Sequence, residues 1–520
     1  MRGICSNEAW LKGNLYNSSK STLVTTYTLI FLLFATWKLK KPEYFLLRYL
    51  VILIATFILA PTSYGAESIL LPEMGDPSTA EVTPDDERRL GESLMRFLRQ
   101  NDLIENDPLA QSYIHSLGYQ LVANSDETSQ PYTFFVVKDS SINAFAAPGG
   151  FIGIHTGLIL TSETESELAG VLAHEIAHIT QKHMTRTYDS AKKHQLTTAV
   201  ALLAAILIGQ NVDQLTEAAI ATSVAANAQL QINFTRAHEK EADYLGIKTL
   251  ANAGFDPEGM PSFFERMQKA SKLYGTALPE FLSTHPVTVN RIAESRSRAR
   301  NIPVKSVTAN KLYPFIKARL KVMKASDIHQ FIREHHQSKT KDTDLPVYLY
   351  TQAIAYLRAE QAIKASNAIE PLVKDNPENI LYRIAQAEIQ HAMGKNEMAM
   401  SNFNAMLTLY PYSYALTVHY AQFLLAIGEN QLAYTTLKDY RNNRGNDALT
   451  LSLLSQATSK IGKTAEAYLY LAEHDFMNGS TRNAITLLTT ASKIKGLDYY
   501  LSSQIDAKLQ EYKQIALLEK

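Results

Sequence analysis

Four glycines, Gly394, Gly428, Gly462 and Gly496, stand 34 residues apart in this chain of 520 residues. Ala365, Ala399, Ala433 and Ala467 recur at the same interval, and Pro377 pairs with Pro411. A generic helical bundle would not place three registers on one period. A period of this length accommodates two antiparallel helices per unit, with glycine at the turn, alanine where the pair packs closely and proline between units. One such unit cannot bury its own apolar face, so the units must stack into an α-solenoid.

Thirty-four residues is the tetratricopeptide period. Units written from 346, 380, 414, 448 and 482 place a repeat domain over 346–515, preceded by a helical linker over 301–345 that contains His335 and His336. A chain of this length suggests about three domains. With 46% hydrophobic and 20% charged residues there is material for real cores and no sign of disorder. The formal charge is zero, so no chain-wide basic field exists to attract nucleic acid. Cys5 is the sole cysteine, which excludes an internal disulfide, a Cys-rich metal site and a Cys-x-x-Cys redox motif.

The first 65 residues form a leader. Apolar runs at 23–37 and 49–60 are each too short for a membrane-spanning helix of about 20 residues. The second follows Lys38, Lys40, Lys41 and Arg48 and precedes small residues Ser63 and Gly65, the anatomy of a signal peptide. That reading makes residues 1–37 an overlong start. The competing reading is an N-terminal hairpin anchored in the inner membrane. Removing residues 1–65 leaves 44 basic and 49 acidic side chains, a net charge of −5.

Residues 66–300 carry the chemistry. Residues 84–125 are expected to be helical, with Asp85, Asp86 and Glu87 in the first turn. Residues 132–138 and 143–155 are expected to be extended, the latter turning at Pro148-Gly149-Gly150. A helix follows, with Ser162 and Glu165 as its capping box and Leu168, Val171, Leu172, Ile176 and Ile179 as its apolar stripe.

On that helix, His174-Glu175-Ile176-Ala177-His178 sets two histidines at i and i+4, so both imidazoles can meet one cation. Zn²⁺, one per chain, suits neutral imidazole and tolerates an open position. Glu175 is placed to take a proton from an attacking water. A third ligand must come from 234–247, where Glu239 and Asp243 share a face. Spacing alone leaves His238 and Glu241 in competition with Glu239. His183, one and a half turns past His178, is expected to point elsewhere and serve structure. His285, followed by Pro286, is either a capping residue or a fourth group at the metal, there as a lock or as an oxyanion donor. The apolar stretch 196–209 is expected to be a buried helix near the site, with a lid or peripheral membrane contact as its alternatives.

His174–His178 followed by Glu239-Lys-Glu-Ala-Asp243 resembles the zinc metalloendopeptidases that include the CAAX prenyl protease and the bacterial heat-shock membrane protease. The stretch 143–151 resembles their segment ahead of the zinc helix. The resemblance implies an α+β zincin-type domain that is mainly α with a small β-sheet, followed here by the repeats. It also implies Glu239 as third ligand, Glu175 as catalytic base and Asp243 as supporting acid. A secreted, repeat-bearing member would work in the Gram-negative periplasm on unfolded or stalled outer-membrane proteins and dock the assembly machinery on its repeats. The alternatives are a chaperone or scaffold with a locked metal site, and an exported hydrolase of cell-wall peptides.

Overall fold

The computed structural model describes residues 83–183, 236–274, 280–303, 312–340 and 344–518. All belong to one compact unit, Pro77–Lys520. The leader over 1–65 and the apolar stretch 196–209 lie outside the described residues.

Thr83 opens helix α1 (Pro84–Gln100) with a reciprocal cap: its side chain accepts from the Asp86 amide, and Asp86 accepts from the Thr83 amide. The expected single helical region over 84–125 is two helices. Asp107 caps a fresh start, accepting from Ala110 N at 2.9 Å, and Pro108 fits the first turn of α2 (Pro108–Val122). The chain between them runs beside the sheet, where Glu105 N donates to Val136 O at 2.9 Å.

Strands β1 (Thr133–Val137), β2 (Ala144–Ala147) and β3 (Phe151–His155) form one sheet in the order β1-β3-β2. β1 runs parallel to β3, and β2 antiparallel to it with Ala147 opposite Phe151. The expected turn joins β2 to β3, with Gly149 and Gly150 at φ 76° and 82°. Among the described residues β2 is therefore an outer strand, one edge of it without a strand partner.

Helix α3 (Thr156–Thr161) leads into α4 (Glu165–Thr180), whose residues from Glu165 to His178 are all buried. The cap of α4 is Thr164, accepting from Glu167 N, and not Ser162 as expected. Ser162 is occupied in closing α3, where its hydroxyl donates to Leu158 O at 2.9 Å. Helices α5 (Arg236–Asn252), α6 (Gly259–Tyr274), α7 (Glu280–Thr284) and α8 (Val289–Asn301) complete this half. α5 approaches α4 closely because position 246 is glycine: a Cβ there would lie 3.1 Å from the His174 amide.

Beyond them come α9 (Tyr313–Lys324) and α10 (Ile328–Gln337), within the stretch expected as a linker. α10 has no buried residue, whereas α9 buries Tyr313, Phe315, Ile316, Arg319 and Leu320. Ten helices follow: α11 (Leu345–Arg358), α12 (Ala362–Asp375), α13 (Ile380–Ala392), α14 (Asn396–Leu409), α15 (Tyr414–Ile427), α16 (Asn430–Arg444), α17 (Ala448–Lys460), α18 (Thr464–Met477), α19 (Thr481–Ala491) and α20 (Tyr499–Leu518). They pack as successive antiparallel pairs into a solenoid. Gly394, Gly428, Gly462 and Gly496 take φ of 74°, 86°, 78° and 81°, a left-handed turn that side chains disfavour. Ala365, Ala399, Ala433 and Ala467 are buried between helices.

Candidate metal centre

His174 and His178 project from α4, and Glu239 and Asp243 from α5, one turn apart on each helix. His285 follows α7, and Arg291 sits on the first turn of α8, which Thr288 caps. All six are buried. Nε2 of His174 and Nε2 of His178 lie 3.0 Å apart. Glu239 Oε2 is 3.6 Å from His174 Nε2, and Glu239 Oε1 is 3.4 Å from His178 Nε2. His285 Nδ1 is 3.0 Å from Glu239 Oε1 and 3.3 Å from His174 Nε2.

These separations test whether a metal fits. Four donors on tetrahedral arms of about 2.0–2.1 Å would stand about 3.3 Å from one another. One donor atom from each of His174, His178, Glu239 and His285, three nitrogens and a carboxylate oxygen, lies within 4.8 Å of the other three, a set that fits a metal.

The carboxylates around the group set its charge. His174 Nδ1 lies 3.1 Å from Asp243 Oδ1. Burial disfavours charge on His174, yet Asp243 and Glu239 outweigh it and raise the imidazole to about 9. Burial and the neighbouring His174 push His178 well below the ordinary histidine range. Glu239 and Asp243 are buried, which alone would raise them. His285 and His174 hold Glu239 well down, and His174 and Arg291 hold Asp243 down. Arg291 grips Asp243 with Nε and Nη2, both at 2.8 Å, and reaches Glu239 Oε2 with Nη1 at 2.6 Å.

Glu175 differs from them. Burial raises its carboxyl above the usual range, partly offset by His285 and His174, and the Ala146 amide of β2 favours its anion. Among the described residues its Oε1 finds no hydrogen-bond partner, and it faces His285 Nε2 at 3.5 Å. Glu175 thus lies beside the donor group and against β2.

Glu239, and neither His238 nor Glu241, faces the donor group. His238 stacks on His183, centroids 4.2 Å apart, and Glu241 accepts from that same His183. His183 does not point elsewhere as expected: its Nδ1 lies 3.0 Å from His178 Nδ1. Sequence reasoning gave Arg291 no role, although an arginine buried to 5% exposure requires acidic partners. Phe264 and Phe281 also went unnoticed; they pack edge-on to His174 at 6.1 and 6.4 Å.

Residues 108–299 match peptidase family M48. A Vibrio cholerae protein bearing the name beta-barrel assembly-enhancing protease is 34% identical over 450 residues, covering 86% of this chain and 92% of its own. The chain belongs to peptidase family M48. The beta-barrel assembly-enhancing protease of Escherichia coli (strain K12) is 30% identical over 471 residues, 89% of this chain and 96% of that protein. Mitochondrial metalloendopeptidase OMA1 of Schizosaccharomyces pombe is 32% identical over 201 residues, 38% of this chain. As an M48 peptidase the protein is a metalloprotease, and His174, His178, Glu239 and His285 are where donors for a metal converge among the described residues.

Proposed function

We propose that the protein is a zinc-dependent endopeptidase of the Gram-negative periplasm that acts on misfolded or stalled outer-membrane proteins. His174, His178 and Glu239 would hold one zinc, which supplies Lewis acidity toward the scissile carbonyl and an acidified water. Asp243, 3.1 Å from His174 Nδ1, fixes its tautomer, and Arg291 holds Asp243 in place. Glu175 takes the proton of the attacking water and returns it to the leaving amine. A substrate segment adds as an extended strand along β2, so recognition reads backbone more than side chains and favours unfolded polypeptide. The repeats dock partners, with the names of the bacterial relatives pointing to β-barrel assembly.

The observation that carries this reading is Glu175: a buried carboxylate with elevated basicity, beside the donor group and against the edge strand. Purified protein is expected to contain about one zinc per chain. Glu175→Gln should keep the metal and lose casein hydrolysis, because an amide cannot accept the proton. Undiminished hydrolysis by Glu175→Gln would sink the mechanism.

A second reading, a chaperone-like protein with a locked site, is favoured by His285. Its Nδ1 stands among the donors in the manner of a fourth ligand. If it locks the site, His285→Ala raises basal cleavage with zinc retained. If it stabilises the oxyanion, the same change lowers cleavage on the order of 10²-fold.

A further inference from the structure

An unbroken helix would turn the fifth residue after His178 about 140° around its axis, away from that ring. α4 instead ends at Thr180, and Lys182 takes φ 52°, the left-handed region. The chain doubles back and returns His183, fully buried, under His178. His183 Nδ1 lies 3.0 Å from His178 Nδ1, and His183 Nε2 lies 3.2 Å from Glu241 Oε2. The Glu241 side chain is 45% exposed, so the chain of contacts runs from the donor group to the surface.

The proposed metal ligation sets the proton placement along this chain. His178 faces Glu239 and His174 with Nε2, so as a neutral ligand it carries its proton on Nδ1. That proton is donated to His183 Nδ1, which must then be an acceptor. His183 therefore carries its own proton on Nε2 and donates it to Glu241. His174 needs a single partner for the same purpose, Asp243 at 3.1 Å.

We infer that His183 and Glu241 are positioning residues, a histidine–carboxylate relay that holds His178 in its metal-binding tautomer and orientation. His238 stacks on the relay and keeps the His183 ring in plane. The inference rests on the reading that His174, His178 and Glu239 hold the metal.

The test uses the full chain stripped of metal, titrated with Zn²⁺ against a chromophoric chelator and with Co²⁺ followed by its visible absorption. His183→Phe keeps the ring and its stacking but removes both nitrogens. It should weaken metal binding 10- to 100-fold and change the cobalt spectrum. His183→Asn returns an acceptor near Nδ1 and should bring affinity back to within a few-fold of wild type. Glu241→Leu, on the exposed end, should cost several-fold, and it carries the test should His183→Phe fail to fold. A merely structural His183 would lower the melting temperature of the metal-free protein and leave metal affinity alone. Wild-type affinity in His183→Phe, equal weakness in the Phe and Asn variants, or wild-type affinity in a Glu241→Leu that stands alone would overturn the relay. Failure of the underlying reading is separate: wild type would bind no metal, or His178→Ala would bind it unchanged.

Discussion

His155 ends β3 with its side chain fully buried, Nδ1 2.8 Å from Ser141 Oγ. Burial, against the pull of Asp139, lowers its pKa to about 4. The folded value is thus below the unfolded one, near 6.5, and the unfolded chain binds the extra proton between them. Stability present above about pH 6.5 is therefore lost as pH falls toward 4. Between pH 7 and pH 5 this residue should cost about 1–2 kcal/mol. Urea unfolding of His155→Gln at the two pH values should show a smaller acid loss than wild type by that amount; equal losses would remove the assignment. At this scale the sequence is legible where chemistry is local. His174, Glu175 and His178 are set by one helical turn, and Glu239 and Asp243 by another. Arg291 and His183 were not legible, for different reasons. Arg291 meets Asp243 across 48 residues of chain through packing alone. His183 depends on the backbone of Lys182, a residue type that does not announce a left-handed turn.

Elements were legible wherever periodicity repeated, and their ends were not. The repeat starts written from spacing at 380, 414 and 448 coincide with the first residues of α13, α15 and α17. By contrast, Ser162 and Thr164 both suit a cap, and only the closing of α3 by Ser162 decides between them. The period also exposes an exception. Thirty-four residues before Gly394 stands Glu360, between α11 and α12, and it takes φ 58° in the same left-handed turn. A side chain in this region costs about 1–2 kcal/mol, of which glycine's greater unfolded entropy recovers roughly half. Glu360→Gly should therefore stabilise the protein by a few tenths to about 1 kcal/mol. A denaturant midpoint at or below that of wild type would mean that Glu360 makes compensating contacts.

Polar groups, some buried and some half-buried, gather where the molecule's two halves meet. Asp107, the cap of α2, accepts from Arg319 Nε of α9 at 2.7 Å, with both side chains buried. Further along, Glu388 of α13 meets His419 Nδ1 of α15 at 2.8 Å, and it is held below the usual range, against burial, by His419 and Arg319. The fully buried ring of Tyr350 on α11 lies against the Phe315 edge at 5.5 Å beside them. The peptidase helices, α9 and the first repeats thus contribute to one continuous apolar core. A core of this kind predicts joint unfolding: metal release and loss of helix signal should occur at the same denaturant concentration. Arg319→Met removes the cation that pairs with Asp107 and leaves that carboxylate buried without it. The expected cost is about 3–5 kcal/mol, with metal release moving to lower denaturant together with the helix signal. Adding Asp107→Asn, which keeps a cap for α2 and removes the stranded charge, should recover a large part of that loss. If Arg319→Met lowered the helix transition and left metal release where it was, the two halves would be separate folding units and the shared core would not couple them.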